Sequence, residues 1–339
     1  MSMEKSHLGA EAPQSIEKEA MLERFNVGRI QAGDEFKALY SDYGHDMSRV
    51  AACQEIFSKE SDVEQLGSVG EALVYSRIKQ GIFGDDISVR GTNLYDDYFH
   101  GADLIIEAPQ QREPIVSAID ITLNQKDIKG VAREMHFARE ENARPIGLDE
   151  KLKRVKRHID YVSDMNPDKA RSLGAWLQGG GLHEHRTEKN KELFDIAERA
   201  MLLKYYVNPE TASDPHAPRY VLGGPQVVLS LDAPFVNRVI TDSLHQEAHL
   251  SAVDAIIQIE TLYGITVLQQ YLDHKVRQSS NRNFVFDTHF TTTKAWTNLL
   301  NTKTEEGVFE TAMKKSQSNS DVQAQIAYYM KTCNAILGV

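Results

Sequence analysis

His100–Asn124, HGADLIIEAPQQREPIVSAIDITLN, decides how this chain is read. It divides into two short apolar strands, Leu104–Ala108 and Ile115–Leu123, joined by a polar turn bounded by Pro109 and Pro114. Asp103 stands at the entrance of the first strand, just after a Gly-Ala pair, and Asp120 lies inside the second, between Ile119 and Ile121. A carboxylate inside a hydrophobic strand is costly to bury alone. Two such aspartates on neighbouring strands are paired, protonated or holding a cation.

The cation reading can be argued from strand geometry. Adjacent strands lie about 4.8 Å apart, so carboxylates on one face can share an ion. Alternation puts Asp120 and Thr122 on one face and Ile119 and Ile121 on the other, so Thr122 borders the site. Mg²⁺ takes one or two carboxylates together with waters and phosphate oxygens, the ligand set these residues offer, and Mn²⁺ serves equally. Such an ion polarises a phosphodiester and lowers the pKa of a bound water.

Outward from this stretch the chain is mostly helical. Residues 1–14 read as a tail, and Ser15 to about Ser58 as two or three short helices punctuated by Gly33 and Gly44. Ser61-Asp62-Val63-Glu64 fits a capping box, with Val63, Leu66, Val69, Leu73 and Ile78 following at helical spacing and Gly81 as the stop. Glu71 lies on this helix, and taken alone it reads as a solvated glutamate. Ile87–Arg90 is a short strand, and Asn93–His100 a polar, aromatic loop in which Asp96 and Asp97 read as caps rather than reserve ligands.

Beyond Asn124, helices are expected at Gln125–Asn142 and Asp149–Ser163. The second carries the densest basic cluster of the chain, Lys151, Lys153, Arg154, Lys156 and Arg157, which is a solvated face or a phosphate-backbone contact. Gly179-Gly180-Gly181 signals flexibility, and His183 and His185 have no evident third ligand nearby. Glu188–Tyr206 reads as helix. Val227–Leu231 is a fully apolar run of the kind that forms a buried central or parallel strand. Helices follow at Val236–Leu244 and from Ser251 to about Lys275, then to the end with breaks at 277–283 and 316–320.

Composition bounds the function. The chain has 339 residues, 41% hydrophobic and 26% charged, so it is globular and large enough for a substantial core. Cys53 and Cys333 are too few for a disulfide framework, and neither an apolar signal core nor eighteen successive apolar residues occurs, so a cytoplasmic protein without a membrane segment is expected. A net charge of −11 argues against a general polyanion-binding surface, though basic residues can cluster locally. No P-loop, GxSxG, HExxH or dinucleotide-binding glycine pattern offers a competing chemistry.

The order is helix with Glu71, strand, strand with Asp103, strand with Asp120, helices, then the buried strand at 227–231. It resembles the core of the PD-(D/E)xK, or restriction-endonuclease-like, nuclease superfamily. Gly70-Glu71 stands at the family's helix acid, Ala102-Asp103 replaces its Pro-Asp, and Asp120-Ile121-Thr122 replaces its (D/E)-x-K. The resemblance covers about residues 61–232. It implies an α/β fold, a small mixed sheet flanked by helices within a largely helical chain, with a helical segment at 1–60, a helical insertion at about 125–222 and a helical region at 233–339. It also implies a Mg²⁺- or Mn²⁺-dependent nuclease or a nuclease-derived nucleic-acid-binding protein. Glu71, Asp103 and Asp120 would hold the metal, and Lys153, Lys156 and Arg157 would contact nucleic acid.

Thr122 departs from the pattern, because the family's lysine at this place helps orient the attacking water and stabilise charge on the phosphate. Either that lysine has moved, with Lys126, Lys129 or the basic helix at 151–157 as candidates, or the fold is a catalytically inactive structural or protein-interaction module. The sequence leaves the oligomeric state open, a dimer included.

Overall fold

Four strands form one mixed sheet in the computed structural model, which describes residues 13–31, 34–57, 62–110, 114–124, 147–208, 219–242, 246–278 and 282–338. They are β1 (Ser88–Gly91), β2 (Leu104–Ala108), β3 (Ile115–Asn124) and β4 (Gln226–Asp232), side by side in that order. β1–β2 and β2–β3 are antiparallel, with Leu104 opposite Ile119, whereas β3–β4 is parallel, with Asp120 opposite Val228 and Thr122 opposite Ser230. The expected mixed sheet with flanking helices is therefore present. Antiparallel β2 and β3 agree with two strands separated by a short Pro-bounded polar stretch, and β4 is buried and parallel but stands at the edge of the sheet rather than at its centre.

Alternation gives each face its partners. Leu104, Ile106, Ile119, Ile121, Val227, Leu229 and Leu231 enter the larger core, against Val69 and Leu73 of α4 (Asp62–Lys79) and Ile256 of α9 (Gln246–Gln278). The opposite face sets Ile105, Val116 and Ala118 against Leu202, Leu203 and Tyr206. Further along that face Val228 joins the core built on α5 (Leu148–Ser163). Three helices precede α4: α1 (Pro13–Val27), α2 (Asp34–Leu39) and α3 (Tyr43–Phe57). Phe25 of α1 packs on Tyr75 of α4. Gly44, expected as a break, lies in the first turn of α3.

Two expectations need correction. Asn93–His100 is not all loop, because Asp96–His100 closes a single wide helical turn that ends on Gly101 in the left-handed region, at φ 67°. Helix from Glu188 to Tyr206 shrinks to α7 (Lys191–Ala200). Past Ala200 the backbone leaves the helix because the buried Asp96 carboxylate accepts the N–H groups of Lys204 at 2.7 Å and Tyr205 at 3.0 Å, while Leu203 bridges to Val221. A long-range acceptor competes successfully with the local helical bond. A helix not singled out in the sequence, α6 (Pro167–Gln178), starts with Pro in its first turn and the Asn166 side chain as its cap. The expected helix at 125–142 lies outside the described residues.

The C-terminal part comprises α8 (Ala233–Thr241), α9, α10 (Phe284–Glu305), α11 (Glu310–Ser318) and α12 (Ser320–Leu337). α9 is long and apolar enough to cross a membrane by length and composition alone, yet 67% of that apolar window is buried inside this fold. It also guards the open edge of the sheet. Glu260, fully buried, accepts the Ser230 N–H at 2.7 Å, and Gln325 of α12 donates to the Ser230 carbonyl. These side chains take the place of a fifth strand, which keeps the edge from pairing with another chain. Burial pushes the Glu260 carboxyl well above the usual range. Glu260→Leu leaves the Ser230 N–H buried without an acceptor, so denaturant unfolding should show a loss of about 1–3 kcal/mol; an unchanged midpoint would mean the edge is held by packing alone.

Candidate metal centre

Asp103 and Asp120 face each other across β2 and β3. Asp103 N–H donates to the Ile119 carbonyl at 2.9 Å, which continues the Leu104–Ile119 register and places both aspartates on one face of the sheet. At this point the chain peels away from β3, and the Asp103 carboxylate takes over as partner, accepting the Ile121 N–H at 2.5 Å. Thr92 Oγ1 donates to the Asp103 carbonyl at 3.2 Å and also to that of Ala102, so the departing backbone is satisfied.

Two further carboxylates converge on Asp103. Glu71 reaches it from α4 and Asp97 from the wide turn before Gly101, and one oxygen from each of the three lies within 4.8 Å of the others. Among the described residues this is the group of three that could hold a metal ion. Asp103 is 5% exposed, and the Glu71 and Asp97 side chains are 18% and 20% exposed, so the cluster is largely buried with Glu71 and Asp97 partly open to solvent. Arg29 clamps the outer side, with Nη2 3.1 Å from Glu71 and Nη1 2.9 Å from Asp97, and its guanidinium lies 4.5 Å from the Phe25 ring centre.

Asp120 is 1% exposed and stands beside this group. Its Oδ1 accepts from Lys151 Nζ of α5, which also donates to the Ile121 carbonyl at 2.6 Å. Its Oδ2 is buried and has no hydrogen-bond partner among the described residues. Thr122, 5% exposed, follows on the same face. One lysine of the basic helix is thereby delivered to the strand whose third position supplies threonine.

Crowded negative charge sets the protonation. Burial, then the charges of Asp103 and Asp97, push the Glu71 carboxyl well above its ordinary range against the pull of Arg29 and Lys151. Burial, then Asp103, lifts Asp97 to about 7. Burial also lifts Asp120, to about 6, with Lys151 opposing. Burial works against the charge of Lys151, but Asp120, Asp103 and Glu71 outweigh it and leave its ammonium more tightly protonated than usual.

The structure sorts the residues expected from sequence. Glu71 and Asp103 come together, and Asp120 and Thr122 adjoin them. Lys126 and Lys129 lie outside the described residues. Lys153, about half exposed, pairs with Glu150 at 2.6 Å, Lys156 pairs with Asp160 at 2.7 Å, and Arg157 is exposed. None of those three pairs with the carboxylate cluster; from the same helix Lys151 pairs with Asp120 and Arg154 packs on Gly101 beside it. Asp97, read as a cap, is a member of the cluster, and its neighbour Asp96, also read as a cap, instead accepts the Lys204 and Tyr205 N–H groups of a non-helical stretch. The doubled aspartate before an aromatic turn was a signal, but which of the two faces the sheet depends on the helical turn they sit in. Comparison with protein families, with curated proteins and with solved structures gives no match for this chain.

A pH dependence with a definite sign follows. Asp97 and Asp120 bind protons more tightly folded than unfolded, so their contribution is present below about pH 4 and is lost as pH rises through about 6 to 7. In EDTA, wild-type stability should fall between pH 5 and pH 8 by on the order of 2 kcal/mol more than that of Asp97→Asn. Parallel curves for the two proteins would mean that Asp97 is ionised throughout.

Proposed function

We propose that this chain is a divalent-cation-dependent nuclease that hydrolyses phosphodiester bonds of nucleic acid. The observation that carries the reading is Lys151, whose ammonium binds both Asp120 and the Ile121 carbonyl. This supplies, from α5, the positive charge that the Asp120-Ile121-Thr122 strand lacks. The element order around it, with one carboxylate on α4, one at the start of β2 and one in β3, supports the resemblance to PD-(D/E)xK nucleases.

The residues fit a hard cation. Three carboxylates with oxygens within 4.8 Å span what one ion or its bound waters can bridge, and the partnerless Asp120 Oδ2 adds a buried acceptor alongside. Asp103, Glu71 and Asp97 would hold the ion, with Asp120 next to them. Mg²⁺ or Mn²⁺ bound there supplies an activated water and a polarised phosphodiester. The protein's own part is then electrostatic and positional. Asp120 fixes the Lys151 ammonium where negative charge grows on the phosphate, and the Thr122 hydroxyl on the same face can orient a water. Arg29 would surrender its contacts to Glu71 and Asp97 as the ion takes them.

Arg29 also supports a second reading. Its guanidinium already neutralises two of the three carboxylates, as it would in a non-catalytic module whose acids are structural. Incubation of mixed DNA and RNA with Mg²⁺ or Mn²⁺ separates the two. Wild type should cleave, Asp103→Asn should not, and Lys151→Ala should lose about 100-fold or more, the scale on which removing one preorganised electrostatic group acts. Thr122→Lys should not exceed wild type, because Lys151 already fills the role. Equal background with all four proteins would leave only the non-catalytic reading.

A further inference from the structure

Arg154 lies on α5, one turn beyond Lys151, and points to the same end of the sheet. Its guanidinium packs against the backbone of Gly101, so closely that a Cβ there would come 2.1 Å from Nη1. The same Cβ would lie 3.2 Å from Asp120 Oδ2. Gly101 holds a left-handed φ of 67°, which is what reserves this position for glycine; a Cβ there would also push the guanidinium, the end of a flexible side chain, aside. The guanidinium is half-buried. Unlike Lys151, Lys153 and Lys156, it forms no ion pair or hydrogen bond with any described residue. Its charge still reaches Asp120, whose carboxyl it helps to keep ionised.

A planar donor set packed on Gly101 and left without an acceptor among the described residues is an uncommon arrangement so close to buried carboxylates. Five guanidinium N–H groups match phosphate oxygens in bidentate geometry, which a lysine cannot reproduce. The neighbouring acids rule out a lone anion as a comfortable tenant, and a phosphoryl group shared with a cation on Asp103 removes that objection. We propose that Arg154 is the phosphate-anchoring residue of this site, gripping a phosphodiester oxygen of a nucleic-acid strand laid over Gly101. The proposal rests on the phosphodiester reading above and assigns the substrate contact to Arg154 rather than to Lys153, Lys156 and Arg157.

Fluorescence anisotropy with a fluorescein-labelled single-stranded DNA tests this, with Asp103 intact and Ca²⁺, a hard oxygen-seeking cation, at saturation, and with EDTA as the reference in which binding should be weaker. Arg154→Gln should weaken binding at least tenfold, Arg154→Lys should recover part of it, and Lys153→Gln should change it less than twofold. Inorganic phosphate should compete against the Arg154 protein and fail to compete against Arg154→Gln. Thermal melting of each variant separates lost contact from lost fold, and Gly101→Ala, which must displace the guanidinium, should reproduce the binding defect. Equal losses for Lys153→Gln and Arg154→Gln would overturn the proposal, because the binding would then be diffuse charge. So would wild type that binds neither strand nor phosphate. Metal-dependent cleavage whose KM is unmoved in Arg154→Gln overturns the proposal and keeps the nuclease. Arg154-dependent binding without any cleavage keeps the proposal and removes the nuclease.

Discussion

Four carboxylates, Glu71, Asp97, Asp103 and Asp120, are gathered at one end of a small sheet where water is largely excluded. Such a gathering is stable only if its charge is neutralised, by protons or by positive groups, since unpaired buried ions are among the most expensive features a fold can carry. Arg29 arrives from the segment just after α1, and Lys151 and Arg154 from α5. The N-terminal helices and α5 are thus tied to the sheet by charge as well as by packing. A metal ion would compete with Arg29 for the same oxygens, and that competition links the two readings of the protein: one cation is structural, the other catalytic.

The sheet provides the rigidity such a site requires. Asp103 and Asp120 are adjacent because β2 and β3 are a tight antiparallel pair, and Asp103 is pinned further by the Ile121 N–H. Both aspartates project from the face opposite the larger core, so the site could form without disturbing the Ile119, Ile121 and Leu229 packing. At the far edge Glu260 and Gln325 close β4 against solvent and against other chains. The second buried carboxylate system, Asp96 with the Lys204 and Tyr205 N–H groups, sets the turn from which Asp97 is aimed. Function and architecture are coupled through that turn.

Much of this was legible in the chain itself. Period-two alternation in 115–123 put Asp120 and Thr122 on one face, and the unbroken apolar run at 227–231 marked a buried strand, central or parallel, which proves parallel but lies at the edge. Glu71 was legible as a helix residue, but its direction became evident only through the fold. Local patterns do not carry the partners of a long side chain. Lys151 looked like any other member of a basic helix face, and only α5 lying across β3 separates it from Lys153, two residues away and exposed. Asp97 was missed for the same reason, and the helix overrun at Tyr206 arose because a distant carboxylate, Asp96, captured its N–H groups.

A divalent cation on this site takes the place of the Arg29 clamp, and anomalous scattering from a crystal soaked in Mn²⁺ reports on that exchange. A peak is expected among Glu71, Asp97 and Asp103, within coordinating distance of Asp103, with the Arg29 guanidinium withdrawn. A crystal that shows no peak there, with Arg29 still bridging Glu71 and Asp97 at saturating Mn²⁺, would contradict it.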